Sequence, residues 1–243
     1  MQLVVLGRSG RYPEKNGATS GYLIKTNEVT LLLDMGSGVI SRFQNFIGVE
    51  DIDAILFSHL HGDHMADFLP FNYMVAYLHD KIKKPIEIYR PATPKPVVEL
   101  MGVDRQEMIF HDIVDKMTAT IGDVEVTFMK VNHPVECYAL RVHEKGGKTL
   151  LYTGDTTLFD GIESIFEGAD VVLGDACVLE KDWTEKSPHI GVRSLAKMVD
   201  RVGAHFILTH LPDNEKEIEE LLAEAKEVNE DSEIAKVMSV YNI

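Results

Sequence analysis

Short aliphatic runs bounded by Gly, Asn and Asp alternate with stretches of helical periodicity along the chain. Gln2–Leu6, Gly21–Thr26 and Val29–Asp34 read as strands, the latter two joined by a turn at Asn27-Glu28. A helix is predicted over Ile40–Phe46, after Gly36-Ser37-Gly38, and a strand over Ala54–Phe57. Residues 65–82 carry Phe68, Leu69, Phe71, Met74, Val75 and Leu78 at helical spacing, which predicts one long helix with a buried face. The proline-punctuated stretch Pro85–Pro96 predicts a strand at Ile86–Tyr89, then a helix near Val97–Met101. The second half repeats this manner. Val124–Val131, Cys137–His143 and Lys148–Thr153 are predicted strands, the last pair a hairpin through Glu144-Lys145-Gly146-Gly147. A short helix at Ile162–Phe166, a strand at Val171–Gly174, a helix over 190–202, a strand at Phe206–Thr209, a helix over 214–228 and a terminal strand at Lys236–Val240 follow.

Two β-rich halves with helices suggest two sheets packed together with helices outside, although composition alone equally allows a doubly wound sheet. No linker, low-complexity tract or repeat interrupts residues 1–243, so one domain is expected. At 45% hydrophobic and 26% charged, the 243 residues exclude disorder, collagen and coiled coil. Lys and Arg number 24 against 39 Asp and Glu, a net charge of −15. So negative a surface disfavours broad nucleic-acid binding unless a metal or a local basic patch intervenes. Cys137 and Cys177 can build neither a disulfide framework nor an all-cysteine zinc site, which favours a reduced compartment. The run Leu3–Leu6 is stopped by Gly7 and Arg8 and is too short for an export signal, and no run approaches a bilayer span. A soluble, cytoplasmic protein is expected.

The chemistry concentrates where Ala54–Phe57 ends, in Ser58-His59-Leu60-His61-Gly62-Asp63-His64. Three imidazoles and a carboxylate so close together are the N/O donors that Zn2+ and its neighbours favour. Adjacent residues cannot all ligate one ion, so further donors must come from elsewhere. His133, Asp155 and His210 each follow a predicted strand into a loop, as His59 does. They add two imidazoles and a carboxylate, enough to complete two sites with Asp155 between them.

These residues resemble the metallo-β-lactamase superfamily, in particular its ribonuclease Z-like phosphodiesterase branch. The likeness covers nearly the whole chain: Leu33-Asp34-Met35-Gly36-Ser37-Gly38, the SHLHGDH signature, Asn132-His133-Pro134, Lys148–Thr156 and Leu208-Thr209-His210. It implies an α/β fold of the αββα sandwich type and hydrolysis at a binuclear centre. On this likeness His59, His61 and His133 would hold one divalent ion and Asp63, His64 and His210 the other, with Asp155 bridging. Zn2+ is expected from family habit, while the donor types also permit Mn2+, Fe2+ or Ni2+. A shared water, ionised near neutral pH, would be the nucleophile, and Asp63 would orient it. His189, in Ser187-Pro188-His189-Ile190-Gly191, stands where the branch often has a His-Ser-Thr segment whose histidine assists the leaving group. Asp175-Ala176 stands where the branch commonly has Glu-Ala, whose acid pairs with that histidine. The start of the helix over 190–202 would offer an additional anion site.

His79, His111, His143 and His205 have no ligand partner nearby in sequence and are read as structural. Asp213–Asp231 carries Ile218, Leu221, Leu222 and Ala225 at helical spacing, a solvated amphipathic face. Trp183, in the loop Glu180–Ser187, is either a lid contact or a packed anchor. The resulting expectation is a phosphodiesterase acting on a small or cyclic phosphodiester. Alternatives are a thioester or lactone hydrolase of the glyoxalase II-like type, a ribonuclease Z-type tRNA 3′ endonuclease, and a non-catalytic metal-binding protein. Di-iron oxidoreduction is weaker, because that branch puts Glu where His61 stands. Against the tRNA reading, the hairpin between His133 and Asp155 leaves no room for a tRNA-gripping arm, and Lys81-Ile82-Lys83-Lys84 is the one tight basic cluster. The partner expected is a small molecule, not nucleic acid or membrane; a homodimer is admitted without being required.

Overall fold

The computed structural model describes all 243 residues. Strands β1 (Gln2–Gly7), β2 (Gly21–Lys25), β3 (Thr30–Leu33), β4 (Ala54–Leu56), β5 (Ile86–Pro91) and β6 (Met108–Ile113) lie side by side in chain order. The second sheet is built likewise from β7 (Thr118–Ile121), β8 (Val124–Lys130), β9 (Tyr138–Glu144), β10 (Thr149–Tyr152), β11 (Val171–Asp175), β12 (His205–Thr209) and β13 (Ser232–Ile234). The chain then crosses back, and β14 (Val240–Asn242) pairs antiparallel with β1. Each sheet is an antiparallel meander that turns parallel: at β3–β4 in the first, at β10–β11 in the second.

Alternation along the strands assigns the layers, because successive side chains face opposite sides of a sheet. Leu3, Val5, Tyr22, Ile24, Val126, Phe128, Leu140 and Val142 fill the space between the sheets. Val4, Leu6, Leu23, Leu32 and Ile55 face outward, where α1 (Val39–Phe43) and α3 (Phe68–Tyr77) cover them with Phe43, Phe68 and Phe71. The single turn α2 (Gly62–Met65) and α4 (Lys95–Met101) complete this layer. Val172, Phe206 and Leu208 of the second sheet are covered by Leu195 and Val199 of α5 (Val192–Val202) and Leu221 of α6 (Glu215–Lys226). The architecture is therefore αββα. No helix is long and apolar enough to cross a membrane.

Several sequence expectations are corrected. The long helix over 65–82 is broken into α2, α3 and a 3-10 turn at His79–Lys81. Pro70 explains the break: it has no N–H to give to the preceding turn, so it is tolerated only in the first turn of a new helix. The helix predicted from residue 190 starts at Val192, after the N-cap Gly191. The terminal strand over Lys236–Val240 is instead the crossing between sheets, turned at Met238 with φ 61°. Strands β6, β7 and β13 were not anticipated; each occupies a sheet edge.

The inter-sheet layer makes Phe128 a sensitive position, since its ring is fully buried between both sheets and stacks on Tyr89 at 5.7 Å. Phe128→Ala should lower unfolding free energy by about 3–5 kcal/mol. Denaturant titration measures this; a loss below about 1 kcal/mol would mean the layer collapses around the gap.

Candidate metal centre

Every donor named from the sequence lies at one edge of the sandwich, beyond the carboxyl ends of its strands. His59 follows β4, His133 follows β8, Asp155 follows β10 and His210 follows β12. The backbone shapes itself to this edge. His210 and Asp34 both adopt positive φ, 54° and 56°. Gly154 does so at 57°, where a Cβ would meet Tyr138 O at 2.9 Å. Main-chain strain of this kind collects at functional sites.

The metal donors named from the sequence form two groups, and Asp175, Cys177, His189 and His210 make a third cluster behind them. His59, His61, His133 and Asp155 make one; Asp63, His64, His210 and Asp155 make the other, with the donor atoms of each group within 4.8 Å of one another. In the first, His59 Nε2 lies 3.0 Å and His133 Nε2 3.2 Å from His61 Nδ1. In the second, His64 Nε2 is 3.3 Å from Asp155 Oδ1, and His210 Nε2 is 3.2 Å from Asp63 Oδ2 and 3.4 Å from Asp155 Oδ2. Asp155 belongs to both groups.

The donor set fits divalent cations on an observation independent of spacing. The outward ring nitrogens are engaged. His64 Nδ1 faces Asp34 Oδ2 at 2.7 Å, His210 Nδ1 faces Asp175 Oδ1 at 3.2 Å and His133 Nδ1 faces Pro188 O at 3.1 Å. An acceptor on one nitrogen fixes the proton there, so the inward nitrogen of each neutral ring presents a lone pair. His64 Nε2 is buried and has no hydrogen-bond partner. Lone pairs converging at about 3 Å repel unless a cation stands among them. Zinc, manganese, iron and nickel all accept this donor set.

Electrostatics divides the imidazoles. Burial pulls His59, His61 and His133 below the usual histidine value. At His64 burial acts the same way, but Asp155 and Asp34 outweigh it and push the ring up to about 10. His210 is raised likewise against burial, first by Asp155 and then by Asp175 and Asp63.

Asp34 is the residue whose importance the sequence left unstated. It is fully buried and accepts from Ser58 N at 2.8 Å, Ser58 Oγ at 2.7 Å and Tyr152 Oη at 2.7 Å while facing His64. The signal was available in Leu33-Asp34-Met35-Gly36: an acid straight after three buried leucines needs a buried partner.

His189 joins the cleft, its ring centred 5.1 Å from His210 and 5.5 Å from His133. Its Nδ1 meets Asp175 Oδ2 at 2.7 Å, so an aspartate reaches where the branch has the longer Glu. The expected anion site at the helix start is corrected. His189 lies two residues before the N-cap Gly191, and Ser194 N and Oγ of the first turn donate to Glu180 at 2.9 and 2.5 Å. Glu180 is already the anion at that terminus.

The remaining histidines lie elsewhere. His111 pairs with Glu87, His143 with Thr149 and His205 with Glu233, while His79 is beside Asp80 on the surface. Trp183 Nε1 donates to Thr157 Oγ1 at 3.4 Å, which favours the anchor over the lid. Lys84 of the basic cluster pairs with Asp53 just before β4, at the opposite end of that strand from His59.

Residues 29–211 match the beta-lactamase superfamily domain, and with the αββα fold and the SHLHGDH donors this places the chain in the metallo-β-lactamase superfamily. Among its relatives is a Bacillus subtilis (strain 168) protein described as "Probable metallo-hydrolase YhfI", 31% identical over 216 residues that cover 87% of each chain. The YhfI crystal structure superposes at a TM-score of 0.89 with 30% identity, over 99% of this chain and 98% of that one. A ribonuclease Z from Methanopyrus kandleri is 29% identical over 142 residues, 56% of this chain and 48% of that protein. The short form of human tRNase Z shares the fold, with a TM-score of 0.79 at 18% identity over 100% of this chain and 99% of that one. The chain is accordingly a metal-dependent hydrolase with ribonuclease Z-like relatives.

Two outcomes follow from the shared carboxylate and its neighbour. Asp155→Ala should empty both donor groups of metal, as read by elemental analysis of purified protein; full retention of one equivalent would argue against sharing. Asp34→Asn should weaken metal affinity by about 10–100-fold, because the proton on His64 Nδ1 loses its charged acceptor. Competition with a chromogenic chelator measures it, and unchanged affinity would make Asp34 purely structural.

Proposed function

We propose that the protein is a phosphodiesterase acting on a small or cyclic phosphodiester at a two-metal centre. The observation that carries this reading is the pair His189–Asp175 beside the donors. Thioester hydrolysis expels a thiolate that needs little help, whereas an alkoxide leaving a phosphodiester needs a proton. His189 is suited to deliver it. Burial opposes its charge, but Asp175 outweighs burial and pushes the ring up to about 11. Asp175 Oδ2 takes Nδ1–H, which orients the ring and leaves Nε2 for the cleft that His189 lines. Asp175 is itself fixed: its N–H donates to Thr153 Oγ1 at 3.0 Å, and its second oxygen faces His210.

Divalent ions held by His59, His61, His133, Asp63, His64, His210 and Asp155 would supply Lewis acidity, ionising water near neutral pH and drawing charge from the phosphoryl oxygens. Asp63 has a second duty. Its Oδ2 accepts from Arg11 N at 2.8 Å, which fixes the carboxylate so that it can orient the attacking water. Likeness to ribonuclease Z over 142 residues supports phosphodiester chemistry. Substrate size argues against a tRNA precursor. β9 and β10 are joined by a tight turn, so no arm projects between His133 and Asp155, and the net charge of −15 opposes tracking a long backbone.

The test is a panel of 2′,3′- and 3′,5′-cyclic nucleotides, bis-p-nitrophenyl phosphate, a thioester, a lactone and a pre-tRNA with a 3′ trailer, each with and without chelator. Chelator-sensitive turnover of a small diester is expected; efficient trailer cleavage without any, or turnover of the thioester or lactone alone, would overturn the reading. His189→Ala should cut kcat by about 10²–10⁴ on substrates with alkoxide leaving groups, with metal content intact. The loss should shrink for p-nitrophenol, and an equal loss for both kinds would assign His189 to binding.

A further inference from the structure

We infer that Arg11 is a substrate-recognition residue that holds a second anionic group, a terminal phosphomonoester, on the same molecule as the diester being cleaved. This rests on the phosphodiesterase reading and narrows its substrate class to short or cyclic diesters bearing an additional phosphate. Three observations carry it.

Arg11 is a free cation at the right place. Among the side chains lining the cleft with His61, Asp63, His133 and His189, it alone bears a guanidinium or ammonium group. Arg90, Arg105 and Arg193 hold carboxylates, and Arg8, Arg42 and Arg141 hold main-chain carbonyls. Arg11 holds neither, and its side chain is exposed to the cleft mouth. A guanidinium matches phosphate oxygens with two parallel N–H donors.

Its backbone is held in place at a cost. Arg11 has φ 65°, a left-handed conformation that glycine would adopt more cheaply. Gly10 N–H donates to Leu211 O at 2.8 Å, Arg11 N–H to Asp63 Oδ2 at 2.8 Å and Tyr12 Oη–H to Asp213 Oδ2 at 2.7 Å. A Cβ at Gly10 would come within 2.9 Å of His210 O, so the loop is pressed against the donor group. A binding residue on such a pinned loop loses little freedom when its ligand arrives.

The position also separates the second anion from the first. Arg11 stands between the cleft and a neighbouring depression lined by Tyr12, Cys177 and Leu211 and by the acids Asp213 and Glu217, beside Asp63. A group on its guanidinium therefore sits beside the donors and not among them. The helix terminus that could otherwise have bound it is taken by Glu180.

The test compares Arg11→Gly with wild type. Gly suits the backbone conformation and keeps the N–H to Asp63, so fold and metal content are checked by thermal melting and elemental analysis. The readout is the ratio of kcat/KM for a 5′-phosphorylated dinucleotide to that for the same dinucleotide without the phosphate. We expect a wild-type preference that falls by about 10–100-fold in Arg11→Gly and is partly restored in Arg11→Lys, as loss of a charge-assisted bond requires. An unchanged ratio with diester turnover intact overturns the role of Arg11 and spares the phosphodiesterase reading. Calorimetric binding of adenosine 3′,5′-bisphosphate against adenosine 3′-monophosphate provides the other arm. If no diester is cleaved but the bisphosphate preference is present and lost in Arg11→Gly, the activity reading fails and Arg11 stands as an anion site. No bisphosphate preference in the wild type overturns it.

Discussion

The carboxylate of Asp155, buried among four imidazoles, is the constraint on which the rest of the site depends. Its oxygens lie 3.3 Å from His64, 3.4 Å from His210, 3.6 Å from His59 and 3.9 Å from His133. A carboxylate with 3% of its surface exposed must be matched by charge, either by protons on His64 and His210, whose rings it pushes upward, or by cations that take the same inward nitrogens. What the chain must do is hold these groups close before a cation arrives, against their mutual desolvation. It does so by securing each outward nitrogen on a rigid acceptor: Asp34 for His64, Asp175 for His210 and the Pro188 carbonyl for His133. Asp34 in turn is gripped by Tyr152, whose ring packs on Tyr22 in the inter-sheet layer. The centre is thus wired directly into the hydrophobic core, so a disturbance of the layer between the sheets reaches His64 through one side chain.

The two halves of the chain each supply part of the centre, which raises the question of what keeps them in register. Packing between sheets is non-directional and would tolerate sliding. Directional bonds at the edge prevent it. Leu211 N–H donates to Arg8 O and Gly10 N–H returns to Leu211 O, both at 2.8 Å, stitching the loop after β1 to the loop after β12. Tyr22 Oη lies 2.7 Å from Thr209 Oγ1 beneath this clasp. At the C-terminus β13 belongs to one sheet and β14 to the other, and Arg8 Nη1 donates to Ala235 O on the crossing between them. The positive φ of His210 and Arg11 are local costs of making these loops meet.

How much of this was legible in the sequence depended on whether the information was local. The SHLHGDH run puts four donors within the six positions His59–His64 at one strand end, and strand-end donors at His133, Asp155 and His210 followed by analogy of position; the structure brings all of them together. The layers were legible too, because alternation of aliphatic residues needs only a short window. The break at Pro70 was legible in principle and was overridden by the regular spacing of Phe68, Phe71, Val75 and Leu78, which belongs to the surface being covered and not to helix continuity. β6 and β7 were missed because edge strands bury one face weakly and carry little pattern: Thr118 and Thr120 are exposed. The pairing of Asp175 with His189 was suggested only by the resemblance, because whether the shorter acid reaches depends on where β11 ends relative to the loop before α5.

The occupation of the α5 terminus by Glu180 has a wider consequence for how anions are handled. In many sites main-chain N–H groups at a helix start bind phosphate without any basic side chain. Here that resource is spent on a carboxylate of the same chain, and it rigidifies the segment that carries His189. Glu180 N–H is itself held by Glu224 of α6 at 3.0 Å, and Arg193 pairs with Glu224 at 3.1 Å, so α5, α6 and the His189 loop form one braced unit. Bracing would suit the proton delivery proposed for His189. It also removes main-chain anion recognition from that flank, leaving attraction for a negatively charged substrate to cations at the centre and to side chains at its rim. In a chain of net charge −15 such attraction is local and short-ranged, screened within about 10 Å at 0.1 M salt. On the proposed reading, a compact anion that reaches the cleft would be held there, while an extended polyanion would meet repulsion over most of its length.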